Sequence, residues 1–286
     1  MNNFIKRTIS GIGFVAIMLA AFLTNKYIFG IVMLLSLVIM MREFLKMTCG
    51  KNYWFSQILS ILAGATLFTL IYLYKGFDFP GRLVILAFVP VFILMINSLY
   101  VKDKSRFDKF SNLYAALLYI AVPWSVLNFA VFTHEGEFNG VLLLCFFAII
   151  WATDVGAYMF GITLGQKYGK KLFPAISPKK SWIGFWGGLL MAVALSIILY
   201  YTDIIPLAGR NQSFDLFHCI FVAILINVAG VYGDLIESQW KRHYNVKDSG
   251  SLIPGHGGLL DRFDSALIAI PVGIIYLVAW GVLSTF

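Results

Sequence analysis

Residues 215–284 read DLFHCIFVAILINVAGVYGDLIESQWKRHYNVKDSGSLIPGHGGLLDRFDSALIAIPVGIIYLVAWGVLS. Two apolar runs, 215–240 and 264–284, enclose one dense polar block. Runs of that length and composition are long enough to cross a bilayer as helices. The block contains Asp234, Glu237 and Ser238, then KRHYNVKDSG (241–250), then PGHGGLLDRFD (254–264). Ionised groups at a membrane boundary are costly, so such a cluster reads as functional. Several carboxylates and several cations held together suggest metal and phosphate chemistry.

The rest of the chain repeats the apolar pattern. Of 286 residues, 60% are hydrophobic and only 13% charged, against roughly 25% charged in a soluble globular chain. Apolar runs at 8–24, 27–41, 54–74, 83–100, 112–132, 140–163, 182–201, 215–240 and 264–284 predict nine helices and an all-α, polytopic membrane protein. The polar stretches between them are too short for a soluble domain, so a single membrane domain, 1–286, is expected. Within it, 1–135 keeps polar residues almost only in loops, whereas 140–286 puts them inside helices or at helix ends. The second half is therefore the expected catalytic half. The N-terminal helices are candidates for a lipid entrance or a dimer surface, so a homodimer is among the expected partners.

Charge sets an orientation. Lys26, Lys75, Arg82 and Arg210 fall on one side of the predicted helices, and the other eighteen of the 22 Lys and Arg fall on the opposite side. Cytoplasmic loops carry the Lys/Arg excess. The N-terminus and the polar block are then cytoplasmic, the C-terminus is outside, and the expected location is the inner (cytoplasmic) membrane. The net charge of +8 is explained by topology and anionic headgroups, with no need for nucleic acid. Lys6 and Arg7 before the first run look like a signal-peptide start. No small-residue cleavage site follows, so that run is expected to stay as a helix. Cys49, Cys145 and Cys219 lack metal-ligand spacing and read as packing residues.

On the run 215–240, Asn227, Asp234, Ser238 and Lys241 follow at intervals of seven, four and three, which stacks them on one helical face. Glu237 lies between the last two. PGHGG at 254–258 allows a tight turn against a ligand and leads toward the last helix, whose N-terminus suits an anion. Asp261 and Asp264 would repel a phosphate by themselves. A divalent cation held by them and by Asp234 resolves the conflict, since Mg²⁺ takes oxygen ligands. Asp154 lies inside the run 140–163, as a metal or substrate ligand or as half of a structural ion pair. Lys179 and Lys180 are either phosphate ligands or topological charge.

The run SQWKRHYNVKDSGSLIPGHGGLLDRFD (238–264) resembles the signature of the phosphatidate cytidylyltransferases, or CDP-diacylglycerol synthases. Ser238, Lys241, Arg242, Lys247, Asp248, Gly250, His256, Gly257, Gly258, Asp261, Arg262 and Asp264 carry the match; Trp240 stands where an aliphatic residue is usual. A second stretch, WATDVGAYMFGITLGQKYGKKLFPAISPKKSWIGFWGG (151–188), is similar to a further segment of the same family. There Asp154, Tyr158, Gly161, Ser177, Pro178, Lys179, Lys180 and Gly184 match. Ser181 replaces the usual Thr and keeps a hydroxyl, while Ile183 stands where the family commonly has Glu. That departure puts any metal or cytidine role of this acid in doubt for this chain.

The resemblance implies that CTP and phosphatidate give CDP-diacylglycerol and pyrophosphate, with Mg²⁺ held by Asp234 and Asp261 and a monovalent cation such as K⁺ beside it. It also makes Lys241, Arg242, Lys247, Asp248, His256 and Arg262 candidate catalytic residues. Ser177, Lys179, Lys180, Ser238, Gly257 and Gly258 are candidate substrate-binding residues. Bottom-up chemistry agrees. A phosphate monoester is largely ionised at pH 7, so the obstacle is the repulsion of two anions rather than the lack of a base. His256 could bond a phosphate, protonate pyrophosphate or brace the turn. A cation-coupled transporter is the alternative from another class, but it does not explain acids grouped with so many Lys and Arg at cytoplasmic helix ends. A CDP-alcohol phosphotransferase would need a run of spaced aspartates that this sequence lacks. A non-catalytic relative is the remaining alternative. Incubation with labelled CTP, phosphatidate and Mg²⁺ separates all of these.

Overall fold

The computed structural model of the chain describes residues 3–101, 107–133, 136–205, 214–255 and 257–283. Among the described residues, nine apolar helical segments run in the expected order. They are α1 (Asn3–Leu23), α2 (Lys26–Cys49), α3 (Trp54–Gly76), α4 (Gly81–Tyr100), α5 (Phe107–Val131), α6 (Val141–Tyr168), α7 (Trp182–Tyr201), α8 (Leu216–His243) and α9 (Leu260–Ala279). All but α1 are long and apolar enough to cross a membrane; the apolar part of α1 is Thr8–Leu23. The chain is an all-α, polytopic membrane protein, with one addition: a small antiparallel hairpin of β1 (Lys171–Phe173) and β2 (Ser177–Ser181).

Several boundaries differ from the hydropathy reading, three of them for a clear local reason. α2 runs on past 41, because Arg42, Glu43 and Lys46 interrupt the apolar run without ending the helix, and Phe44, Leu45 and Cys49 stay buried. α6 continues past 163 through a wider π turn at Gly161–Gly165. α9 begins at Leu260, with one turn to Phe263 before a break at Asp264 and Ser265.

The helices form two compact units. The first contains Met1–Asn128, Phe132–Phe138 and Tyr244–Phe263. Its centre is α2, where Phe29, Met33, Leu37, Met40 and Phe44 are completely buried. Trp124 of α5 donates its indole N–H to the Met33 carbonyl at 2.9 Å, and its ring meets Phe263 edge-on at 4.7 Å. Buried polar groups must find partners inside a bilayer, and Ser60 does so by donating to the Leu113 carbonyl at 2.8 Å.

The second unit contains Phe129–Val131, Asn139–His243 and Asp264–Phe286. Here α6 and α7 pack backbone to backbone. A Cβ added at Gly156 would stand 2.5 Å from the Gly187 carbonyl oxygen. Small residues permit this approach, which lipid-embedded helices rely on for dispersion contact. The contact aligns the ends of α6 and α7 and so positions the hairpin between them.

Candidate active site

Residues singled out from the sequence fall in two polar regions, one within each unit. In the second unit a cavity of about 660 Å³ is bordered by α6, the hairpin, α7 and α8. Asp154, Gln166, Lys179, Lys180 and Asp234 supply its polar lining; Tyr158, Ile162 and Phe185 supply apolar wall. The hairpin delivers the two lysines. Gln166, at the end of α6, donates to the Lys179 carbonyl at 2.8 Å and accepts from Lys171 Nζ at 2.7 Å. Ser181 closes the strand and caps α7, accepting the Gly184 N–H at 3.2 Å. The hydroxyl kept at this position therefore has a structural use. Ile183 sits half-buried in the first turn of α7.

Lys180 Nζ lies 2.7 Å from Asp234 Oδ2 and 3.5 Å from the Val231 carbonyl oxygen. Asp234 Oδ1 accepts the Ser238 hydroxyl at 3.2 Å, as the i, i+4 stacking on α8 requires. One turn on, Glu237 is fully buried and ion-paired with Lys241. Arg242 Nε reaches the Ile176 carbonyl at 3.5 Å, joining the end of α8 to the hairpin turn beside Ser177. Asp264 accepts the Ser265 N–H at 2.6 Å, and its carboxyl lies within the electrostatic reach of Asp234, Asp154 and Lys241.

In the first unit, the described residues of 244–259 form a loop that packs with the N-terminal helices and leads into the first turn of α9. Asn112 of α5 donates to the Tyr244 hydroxyl at 2.9 Å; burial pushes the Tyr244 phenol up, opposed by this bond. Ser10 of α1 donates to the Pro254 carbonyl at 3.1 Å. The turn closes through Ile253 N–H on the Gly257 carbonyl at 2.9 Å, with Gly255 and Gly257 at φ +78° and +85°. That left-handed region is open to glycine at little cost. Lys247, Asp248, Gly257 and Arg262 border a cavity of about 440 Å³. Asp261 folds back over the loop, its Oδ2 accepting the Gly258 N–H at 2.7 Å and the Ser249 N–H and hydroxyl at 2.9 Å each. His256 lies outside the described residues.

Three contributors were not singled out from the sequence: Gln166, Ser249 and Glu43. Gln166 and Ser249 carry no signal of their own. Glu43 does, being an acid inside an apolar helix, but hydropathy ended that helix at 41, two residues before Glu43 and eight before its actual end at Cys49. It is 9% exposed, and its Oε2 accepts the Leu260 N–H at 2.9 Å.

The donor set can be tested against a divalent cation. Asp154, Asp234 and Asp264 of the second unit offer carboxylate oxygens, the ligand type Mg²⁺ takes; in the first unit, Asp261 is occupied by the N–H groups of Gly258 and Ser249. The chemistry of the donors fits. Among the described residues, no group of three or more His, Cys, Asp or Glu stands together as a metal cluster, and Lys180 already neutralises Asp234.

Helices suited to a bilayer, with lysines and carboxylates lining a cavity, define a polytopic membrane protein with a charged cavity. The chain belongs to the cytidylyltransferase family, whose family model matches residues 5–280. It is similar to the phosphatidate cytidylyltransferase of Bacillus subtilis, at 35% identity over 186 residues, 65% of either chain. The enzymes of the same name from Staphylococcus epidermidis and Staphylococcus aureus are 37% and 38% identical over 173 residues, which is 60% of this chain and 62% of theirs. The matched stretch thus spans less than two thirds of each relative's length.

Proposed function

We propose that this protein transfers the cytidylyl group of CTP to phosphatidate, giving CDP-diacylglycerol and pyrophosphate. The observation that carries the reading is the cavity in which Lys179, Lys180 and Asp234 meet against apolar wall. It offers cations for phosphates and apolar surface for a lipid. The names of the similar bacterial proteins support the same assignment.

A phosphate oxygen of phosphatidate attacks the α-phosphorus of CTP. The bond between that phosphorus and the α,β-bridging oxygen breaks, and pyrophosphate leaves with the electron pair. The attacking oxygen is already ionised near neutral pH, so no residue need remove a proton. The chain must instead hold two anions in line and offset their repulsion. Lys179 and Lys180, with Lys241, Arg242, Lys247 and Arg262, are the proposed counter-charges. Asp234 and Asp261, with Asp264 and Asp154 as further candidates, would hold Mg²⁺, which neutralises phosphate charge when bound. A monovalent cation such as K⁺ is the remaining proposed partner. The reaction is proposed for the cytoplasmic face of the inner membrane, on the strength of the Lys and Arg distribution.

Purified full-length protein, given labelled CTP, phosphatidate and Mg²⁺, is expected to form a nucleotide-linked lipid and release pyrophosphate. Absence of that lipid, with the protein folded and both substrates in excess, would refute the activity. Cation-driven uptake into vesicles would favour the transporter reading instead.

A further inference from the structure

Glu43 is a buried carboxylate on α2, far in sequence from every motif, yet its hydrogen-bond partners among the described residues belong to the signature loop. Its Oε2 accepts the Leu260 N–H at 2.9 Å, and the Leu259 N–H also favours its charge electrostatically. The Ser249 hydroxyl lies 3.5 Å from the same oxygen. That hydroxyl has one proton to give, and Asp261 Oδ2 at 2.9 Å is the better acceptor. The grip of Glu43 therefore falls on the backbone of Leu259 and Leu260, immediately before Asp261. Both glycines facing Glu43 are shaped for it. A Cβ at Gly250 would stand 2.4 Å from Glu43 Oε1, and one at Gly258 would stand 2.6 Å from Oε2.

A buried carboxylate is costly unless its lone pairs are filled. A plain packing role for position 43 would be served better by an apolar residue. Glu43 instead directs its charge at the backbone amides that lead into Asp261, bonding Leu260 directly. Fixing the backbone at Leu260 fixes the direction in which the next side chain leaves the chain. Asp261 Oδ2 then meets Gly258 N–H and Ser249 from that start.

We propose that Glu43 is a positioning residue for the reaction: from α2 it holds the Leu259–Leu260 backbone and thereby aims the Asp261 carboxylate. This rests on the activity proposed above, and it gives the N-terminal helices a part in the chemistry.

The test combines hydrogen exchange of the 249–262 segment, read on substrate-free full-length protein in detergent, with steady-state turnover. In Glu43→Ala the loop amides are expected to exchange about tenfold faster, since their holding bonds are gone. kcat should fall by about 10- to 100-fold with KM for phosphatidate changed less than about twofold, the pattern of a misaimed group rather than a lost binding contact. Glu43→Gln keeps the size and one acceptor oxygen, and should recover part of both losses. Gly250→Ala should mimic Glu43→Ala, because its methyl displaces the carboxylate, and should add little in the Glu43→Ala background. Should Glu43→Ala not fold, Gly250→Ala carries the test alone. Unchanged loop exchange, or faster exchange with unchanged kcat, overturns the proposal. A wild-type protein that makes no nucleotide-linked lipid refutes the activity instead; the exchange measurement, needing no substrate, still decides whether Glu43 holds the loop.

Discussion

Lys180 and Asp234 touch at 2.7 Å, with side chains 25% and 35% exposed. A pair that wet contributes about 0–1 kcal/mol to stability, so it is poorly suited to be a scaffold and well suited to exchange partners with phosphate or metal. Asp234→Asn should therefore leave the thermal midpoint in detergent nearly unchanged while turnover drops about 100-fold, a loss of about 2.7 kcal/mol of transition-state stabilisation. Turnover within a few-fold of wild type, measured with both substrates saturating, would remove Asp234 from the site. At this scale the sequence was readable where spacing is local: Asp234 and Ser238 are four apart on a helix, and their hydrogen bond follows. Glu43 and Leu260 are 217 residues apart, and no periodicity links them.

The hairpin Lys171–Ser181 is the element that turns a basic loop into part of a site. Strands of three and five residues give no usable alternation, and β1 and β2 are joined with an irregular register. What holds them is external: Gln166 from α6, and the cap at Ser181 that starts α7. Replacing a capping Ser by Ala costs about 1 kcal/mol. Ser181→Ala should lower the unfolding midpoint by that equivalent, and should reduce turnover through the freed lysine strand more than through stability. Circular dichroism melts beside kinetics measure both; unchanged melting would mean that the cap contributes nothing. The extended end of α2 has the same lesson. Hydropathy stops at the first charges, whereas a helix continues as long as its buried face does, here through Phe44, Leu45 and Cys49.

Across the whole molecule, the uneven split of Lys and Arg predicts which ends of the helices face the cytoplasm. A cysteine introduced by Ser251→Cys should react with a membrane-impermeant thiol reagent only from the cytoplasmic side, and one introduced by Gly136→Cys only from outside. The background is low because Cys49, Cys145 and Cys219 are buried. Labelling with the opposite sidedness would put the signature loop on the wrong face for cytoplasmic CTP. By itself the sequence determined the all-α membrane architecture and the order of the apolar helices among the described residues, and it supplied the candidate residues of the site. Each of these depends on composition or on neighbours a few residues apart, which hydropathy, helical period and motif spacing report directly. Only the tertiary structure decided that Tyr244–Phe263 packs with the N-terminal helices, that Lys180 pairs with Asp234, and that Glu43 grips the backbone before Asp261. Those contacts join segments distant in the chain. They are selected by which buried polar groups can find partners away from water, a condition that exists only once the helices have packed.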